Sequence, residues 1–439
     1  MPLKLRLMAF SLALLSQHLQ AQAPTIDLAV ARSYFEELRA LGVADGGKLW
    51  GKPVNGPMIL VDASSRSIVA NEPDLKGLLQ NRDGVWTGTL PPEMNAANTA
   101  TDFGGKRWSM ILWPVSDSRY SRGRLLMHES FHRIQDELGL PGSNPSNAHL
   151  ATAEGRIWTR LEWRALTEAL IRSGSARRQA LTEALTFRAK RRTVIQDAAE
   201  DERQLEINEG LAEYTGLVLS GLPRSVLNDR AAVQLAQSET QESLVRSFAY
   251  ASGPAYALLL DASGKRWRKD VRGTSDLSEI ARRAYAIPAI NPADADKLIA
   301  RYNGERMIAD ERARETRRIA AEARLRATFL DGPSLKLPAA GAFNYSFNPN
   351  NATPLQGAGT VYETARVTDE WGILEVASGG VLIERSANGG VSGVVVPNPK
   401  IDGGKISGNG WTLTLSSGWI AVPGAKNNEI VVRKATSDK

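Results

Sequence analysis

The chain has no cysteine, which excludes disulfides and thiolate metal ligands and leaves stability to the size of the core. No stretch approaches the roughly 20 apolar residues needed to cross a bilayer, so no transmembrane segment is expected in the mature chain. No block of basic residues interleaved with aromatics stands out. Lys and Arg total 54 against 48 acidic residues, a net charge of +6 spread thinly, so basicity does not nominate nucleic acid. No repeat of fixed period is present, which excludes solenoid arrays. Only four histidines occur in 439 residues, so any histidine pattern carries information.

What is present is a globular composition, 42% hydrophobic and 23% charged, long enough for two or three domains. Lys4 and Arg6 precede an apolar run from Leu7 to Leu15 and a polar stretch ending Ala21-Gln22-Ala23. This pattern predicts a signal peptide over residues 1–23, cut after Ala21 or Ala23, and export to the periplasm or medium. Its loss lowers the net charge to +4.

Apolar spacing predicts a helix from Thr25, as N-cap, to Ala40, with Gly42 as its stop. Strands are expected at 58–61, 67–70, 85–90 and 108–115, where short apolar runs occur. Helices follow from near Arg124 to Leu138, and at about 151–171, 176–195 and 198–219. Arg188, Lys190, Arg191 and Arg192 form the one basic cluster, read as a solvated helix face. The charged stretch from Glu305 to Thr328 reads the same way, as a stiff connector. Beyond Pro333, Gly, Asn and Ser turns separate alternating runs at 361–367, 373–376, 381–384, 391–396, 411–415 and 419–422, the style of a small β-sandwich or barrel. The expected class is α+β: a mixed part over 24–115, a helical part over 116–330 and an all-β module over 334–439.

Met127-His128-Glu129-Ser130-Phe131-His132 contains H-E-x-x-H. On a helix, His128 and His132 lie one turn apart on one face, where two imidazoles can reach one metal, while Glu129 addresses the water. The third ligand is open between His149, 17 residues downstream in a Gly/Pro/Asn/Ser-rich loop, and the segment Asn208-Glu209-Gly210-Leu211-Ala212-Glu213-Tyr214. Glu209 and Glu213 share a helix face, so one carboxylate could bind metal while the other supports a histidine.

HESFH at 128–132 with NEGLAEY at 208–214 resembles the gluzincin branch of the zincin metallopeptidases. The resemblance implies a zincin-like domain and Zn²⁺ held by His128, His132 and Glu209. It implies Glu129 as general base and Glu213 as an acid supporting the ligands. Tyr250-Ala251-Ser252-Gly253 resembles the Tyr-x-x-Gly segment of aminopeptidase-N-like members, which implies Tyr250 as oxyanion donor, with Tyr214 and Tyr256 as rivals. The resemblance is confined to short motifs within about residues 100–260. The separation of 77 positions from His132 to Glu209 exceeds the usual insert, and no Gly-x-Met-Glu-Asn segment is present, so aminopeptidase activity is not implied. The strand at 108–115 matches the edge strand on which zincins align an extended substrate.

The reading is therefore an exported zinc peptidase acting on peptides or proteins. Its alternatives are a catalytically silent zincin-like binder of peptide or cell-envelope material and a zinc hydrolase of non-peptide amides. The β module is expected to serve either attachment or stability.

Overall fold

α1 (Leu28–Asp45) precedes β1 (Met58–Asp62), β2 (Ser67–Ala70), β3 (Gln80–Arg82), β4 (Val85–Thr89), β5 (Thr99–Phe103) and β6 (Lys106–Trp113) in a computed structural model that describes residues 26–348, 351–386, 388–402, 404–426 and 428–435. The expected signal peptide lies outside the described residues. The strands form one sheet in the order β3-β4-β2-β1-β6-β5, parallel at β1–β6 and antiparallel elsewhere. Successive side chains of a strand point to opposite faces. Met58 and Leu60 accordingly pack with Tyr34, Phe35 and Leu38 of α1, while Ile59 and Val61 pack with Phe103, Trp108 and Met110 on the other face.

Two expectations for α1 are corrected. Its N-cap is Asp27, whose carboxylate accepts from the N–H groups of Ala29 and Val30, and it ends at Gly46 with φ 59°. Gly42 lies inside the helix, where a Cβ would collide with the Asn55 side chain. The 108–115 run is also not an edge: β6 is flanked by β1 and β5, and β5 is the outer strand.

The helical part comprises α2 (Arg119–Ile134), α3 (Ala153–Ile171), α4 (Gly174–Val194), α5 (Ala198–Leu205), α6 (Leu211–Leu219), α7 (Leu227–Ser238), α8 (Phe248–Ala262), α9 (Leu277–Ala284), α10 (Ala295–Leu298) and α11 (Gly304–Arg326). α2 wedges between two cores, giving Leu126, Met127 and Ile134 to the sheet side and Phe131 to the helical side. The helix expected over 198–219 is interrupted by a π turn at Glu206–Gly210.

The basic cluster of α4 is not a solvated face. Arg188 and Arg191 are 2% and 0% exposed. Arg188 donates to Glu162 and to both oxygens of Glu206, and Arg191 to Glu162 and Glu202. Charge of this density survives burial because each guanidinium is matched by a carboxylate from another helix. α11 is largely solvated, as expected, but is pinned by Met307 and by Glu311, which is buried against Arg156 and Arg160.

The C-terminal part holds β7 (Ser334–Pro338), β8 (Asn344–Phe347), β9 (Ala352–Leu355), β10 (Gly359–Tyr362), β11 (Ala365–Asp369), β12 (Gly372–Val376), β13 (Val381–Arg385), β14 (Val391–Pro397), β15 (Lys400–Asp402), β16 (Lys405–Gly408), β17 (Trp411–Leu415), β18 (Trp419–Pro423) and β19 (Glu429–Lys434). These form two open sheets, ordered β18-β19-β7-β14-β13-β10-β9 and β15-β16-β17-β12-β11-β8. Leu335, Ile383 and Val394 of the first share a core with Val367, Leu374 and Trp411 of the second. The single run expected at 361–367 divides into β10 and β11, which lie in different sheets. No helix among the described residues is long and apolar enough to cross a membrane.

Candidate metal centre

α2 carries His128 and His132, and the π turn that leads into α6 carries Glu209. Gly216 lets α6 approach α2 closely, since a Cβ there would lie 2.5 Å from the carbonyl oxygen of Arg124. The two Nε2 atoms are 3.2 Å apart, and Oε2 of Glu209 lies 3.6 Å from that of His128 and 3.5 Å from that of His132. A tetrahedron of ligands on zinc, with bonds of about 2.0–2.1 Å, has edges of about 3.3 Å. The three donor atoms therefore match that size.

Their supports fix which atoms are free to bind. Nδ1 of His128 donates to Oε2 of Glu213 at 2.9 Å, and Arg124 pairs with the other oxygen of Glu213. Nδ1 of His132 donates to Oε1 of Gln135 at 2.8 Å, and Gln135 in turn donates to Asn208. With both Nδ1 atoms donating, neutral imidazoles present two lone pairs at facing Nε2 atoms beside a carboxylate. Such lone pairs repel unless a proton or cation lies between them. Without a metal, burial would lower His132, but its hydrogen bond to Glu209 and the Glu209 charge push it up to about 9. Burial would raise Glu209, but the histidines hold it well below the usual carboxylate range. The chemistry of the donor set, two imidazoles and one carboxylate, suits zinc.

Glu129 is 4% exposed, and its Oε2 is buried without a hydrogen-bond partner. Its Oε1 is 4.0 Å from Nε2 of His128. Burial raises its pKa. A buried carboxylate oxygen without a partner is costly, a cost that Glu129 shares with Glu37, Asp45 and Glu315; what sets Glu129 apart is its place beside the three converging donors.

Tyr250 donates to Oε2 of Glu209 at 2.6 Å, and its ring stacks on His128 with centroids 5.7 Å apart. Burial and the nearby Glu209 charge push its phenol well above the ordinary value, so it stays a donor. Pro254, inside α8, has no N–H to offer the Tyr250 carbonyl one turn back. Gln234 fills that role at 2.9 Å, and its own oxygen accepts from Arg124. Gly253 sets the height of α8, since a Cβ there would lie 2.3 Å from Cα of Gly210. Gly253→Ala is expected to push the π turn and α8 apart, lowering stability by about 1–3 kcal/mol and weakening metal binding. Denaturation and zinc titration check both effects.

The structure separates the other candidates from this group. His149 is buried against Glu202 at 2.9 Å, Tyr214 donates to Asp261 and Tyr256 to Glu162. Sequence reasoning missed Gln135, three residues past His132 on the same helical face and so open to view. It also missed Arg246, which donates to Oε1 of Glu209 at 3.0 Å and which no local spacing connects to the motif. The group opens on a cleft of about 1520 Å³, lined among others by Asn98 to Thr101 at β5, Val233 of α7 and Tyr345 and Phe347 of β8. No protein-family model, curated protein or solved structure matches the chain.

Proposed function

We propose that the chain is a zinc-dependent metallopeptidase of gluzincin type, and that the short apolar run behind Lys4 and Arg6 directs its export. The observation that carries this reading is the convergence of Nε2 of His128, Nε2 of His132 and Oε2 of Glu209 beside the Glu129 carboxylate, whose Oε2 has no hydrogen-bond partner. Zinc held by these three residues would supply a Lewis acid that polarises a carbonyl and lowers the pKa of water toward neutrality.

The chain's own groups do the rest. Glu129 takes a proton from the water that attacks the scissile carbonyl and passes it to the leaving amine. The Tyr250 O–H donates to Oε2 of Glu209 here; to serve the developing oxyanion, typically the largest contribution in such sites, it has to exchange that carboxylate oxygen for the substrate's. Glu213 and Gln135 hold the imidazoles in the tautomer that leaves Nε2 open. β5, the outer strand, offers main-chain groups along the cleft to an extended peptide. A buried Glu129 carboxylate beside the three donors, yet not among them, favours catalysis over a silent binder, which has no use for it.

Metal analysis tests the proposal. The purified protein is expected to hold one zinc per chain, and Glu209→Ala to weaken binding by more than the about 10- to 100-fold that supporting residues typically cost. A parent protein without zinc, or a Glu209→Ala variant with unchanged affinity, would overturn it.

A further inference from the structure

The C-terminal sheets reach the cleft. β8 is the last strand of its sheet, paired only with β11 among the described residues, and its residues line the same cleft as the candidate metal centre. The module is seated there by specific bonds rather than a loose tether. Arg366 donates to Oδ1 of Asn95 at 2.7 Å and to the carbonyl of Pro92 at 2.5 Å. Thr368 donates to the carbonyl of Glu93 at 3.3 Å, and Asn95 donates to Asn344 at 3.1 Å.

Alternation along β8 puts Tyr345 and Phe347 on one face and Asn344 and Ser346 on the other. The two rings stack with centroids 5.2 Å apart, and Tyr362 packs on Phe347 at 4.3 Å. Tyr345 and Phe347 are only half-buried, and both border the cleft. The guanidinium of Arg246 lies 5.6 Å from the centroid of Phe347 and donates to Glu209 at 3.0 Å. One side chain thus separates this aromatic row from the candidate metal ligand.

We propose that the β module is the second wall of the substrate cleft, and that Tyr345 and Phe347 form a subsite for a bulky apolar side chain of an extended peptide close to the scissile bond. The inference rests on the peptidase reading and deepens it. The occupant is polypeptide because the cleft is flanked by two outer strands, β5 and β8, which an extended main chain can approach. Half-buried aromatic faces next to them gain most from an apolar partner.

The test uses the full-length zinc-loaded protein, Phe347→Ala, Tyr345→Ala and Phe347→Leu, with a peptide library varied one position at a time among Phe, Leu, Ala and Asp. The parent is expected to prefer Phe or Leu at one position near the cleaved bond. Each alanine variant should raise KM for those peptides about tenfold, leave kcat within about twofold, and flatten the preference, while Phe347→Leu retains most of it. Peptide binding to zinc-loaded Glu129→Gln, read by fluorescence anisotropy, should follow the same order without turnover. A parent that cleaves peptides with no apolar preference, or alanine variants with parental KM and selectivity, would overturn the subsite and leave the peptidase reading standing. A parent that cleaves no library peptide, with a Glu129→Gln form that binds none, would overturn both.

Discussion

Glu129→Gln is expected to lower peptide turnover by about 10²- to 10⁴-fold, the usual range for a positioned general base, with zinc content unchanged and thermal stability not lowered. The amide is nearly isosteric with the carboxylate but cannot accept the proton that water loses on attack. Metal should be retained because Glu129 is not among the three converging donors, its nearer oxygen lying 4.0 Å from Nε2 of His128. Stability should hold because Oε2 of Glu129 has no hydrogen bond to lose. Kinetics on a cleaved peptide, run beside zinc analysis of the same preparation, separate this outcome from simple loss of metal. A fully active Glu129→Gln protein would remove Glu129 from the mechanism.

The site was legible in sequence where it follows helical spacing. His128 and His132, and Glu209 and Glu213, are each four residues apart, and the two pairs face one another, the histidines on α2 and the glutamates on the π turn and α6. The π turn was not legible, because Glu206 to Tyr214 fits an unbroken α-periodicity equally well and the widened turn leaves no compositional mark. β5 was missed because Thr-Ala-Thr-Asp-Phe is polar, as an outer strand can be when only one side is paired. The open sheets past Pro333 were visible as a style of sequence, but their partnerships were not. Only the fold shows that β8 ends its sheet on the cleft and that β10 and β11 part company. Arg188 and Arg191 were misread for a related reason. A run of charges is solvated unless other segments bring countercharges, and Glu162, Glu202 and Glu206 come from α3, α5 and the π turn.

Arg188→Met is expected to destabilise the protein by about 3–5 kcal/mol at neutral pH, the typical cost of leaving one member of a buried ion pair alone. Arg188 contacts both oxygens of Glu206 at 2.8 and 2.6 Å, and no other cation pairs with that carboxylate among the described residues. Glu162 is less exposed to the loss, since Arg191 and Tyr256 still reach it. Burial already raises the pKa of Glu206 against the opposing charge of Arg188, and removing the arginine raises it further. A carboxyl with a folded pKa above its unfolded value favours the fold below the unfolded pKa and loses that contribution as pH rises through the folded one. The defect of Arg188→Met should therefore shrink on acidification and grow toward alkaline pH. Adding Glu206→Leu removes the stranded charge and should restore much of the loss at neutral pH. Because Glu206 opens the π turn that carries Glu209, the single variant should also bind zinc more weakly, while the double variant reveals whether the turn depends on the ion pair or only on filled volume. Denaturant titrations across pH 5 to 8, paired with zinc affinity, read both effects. A single variant as stable as the parent at neutral pH would show that Glu206 is held without Arg188, and the account of the buried network would fall with it.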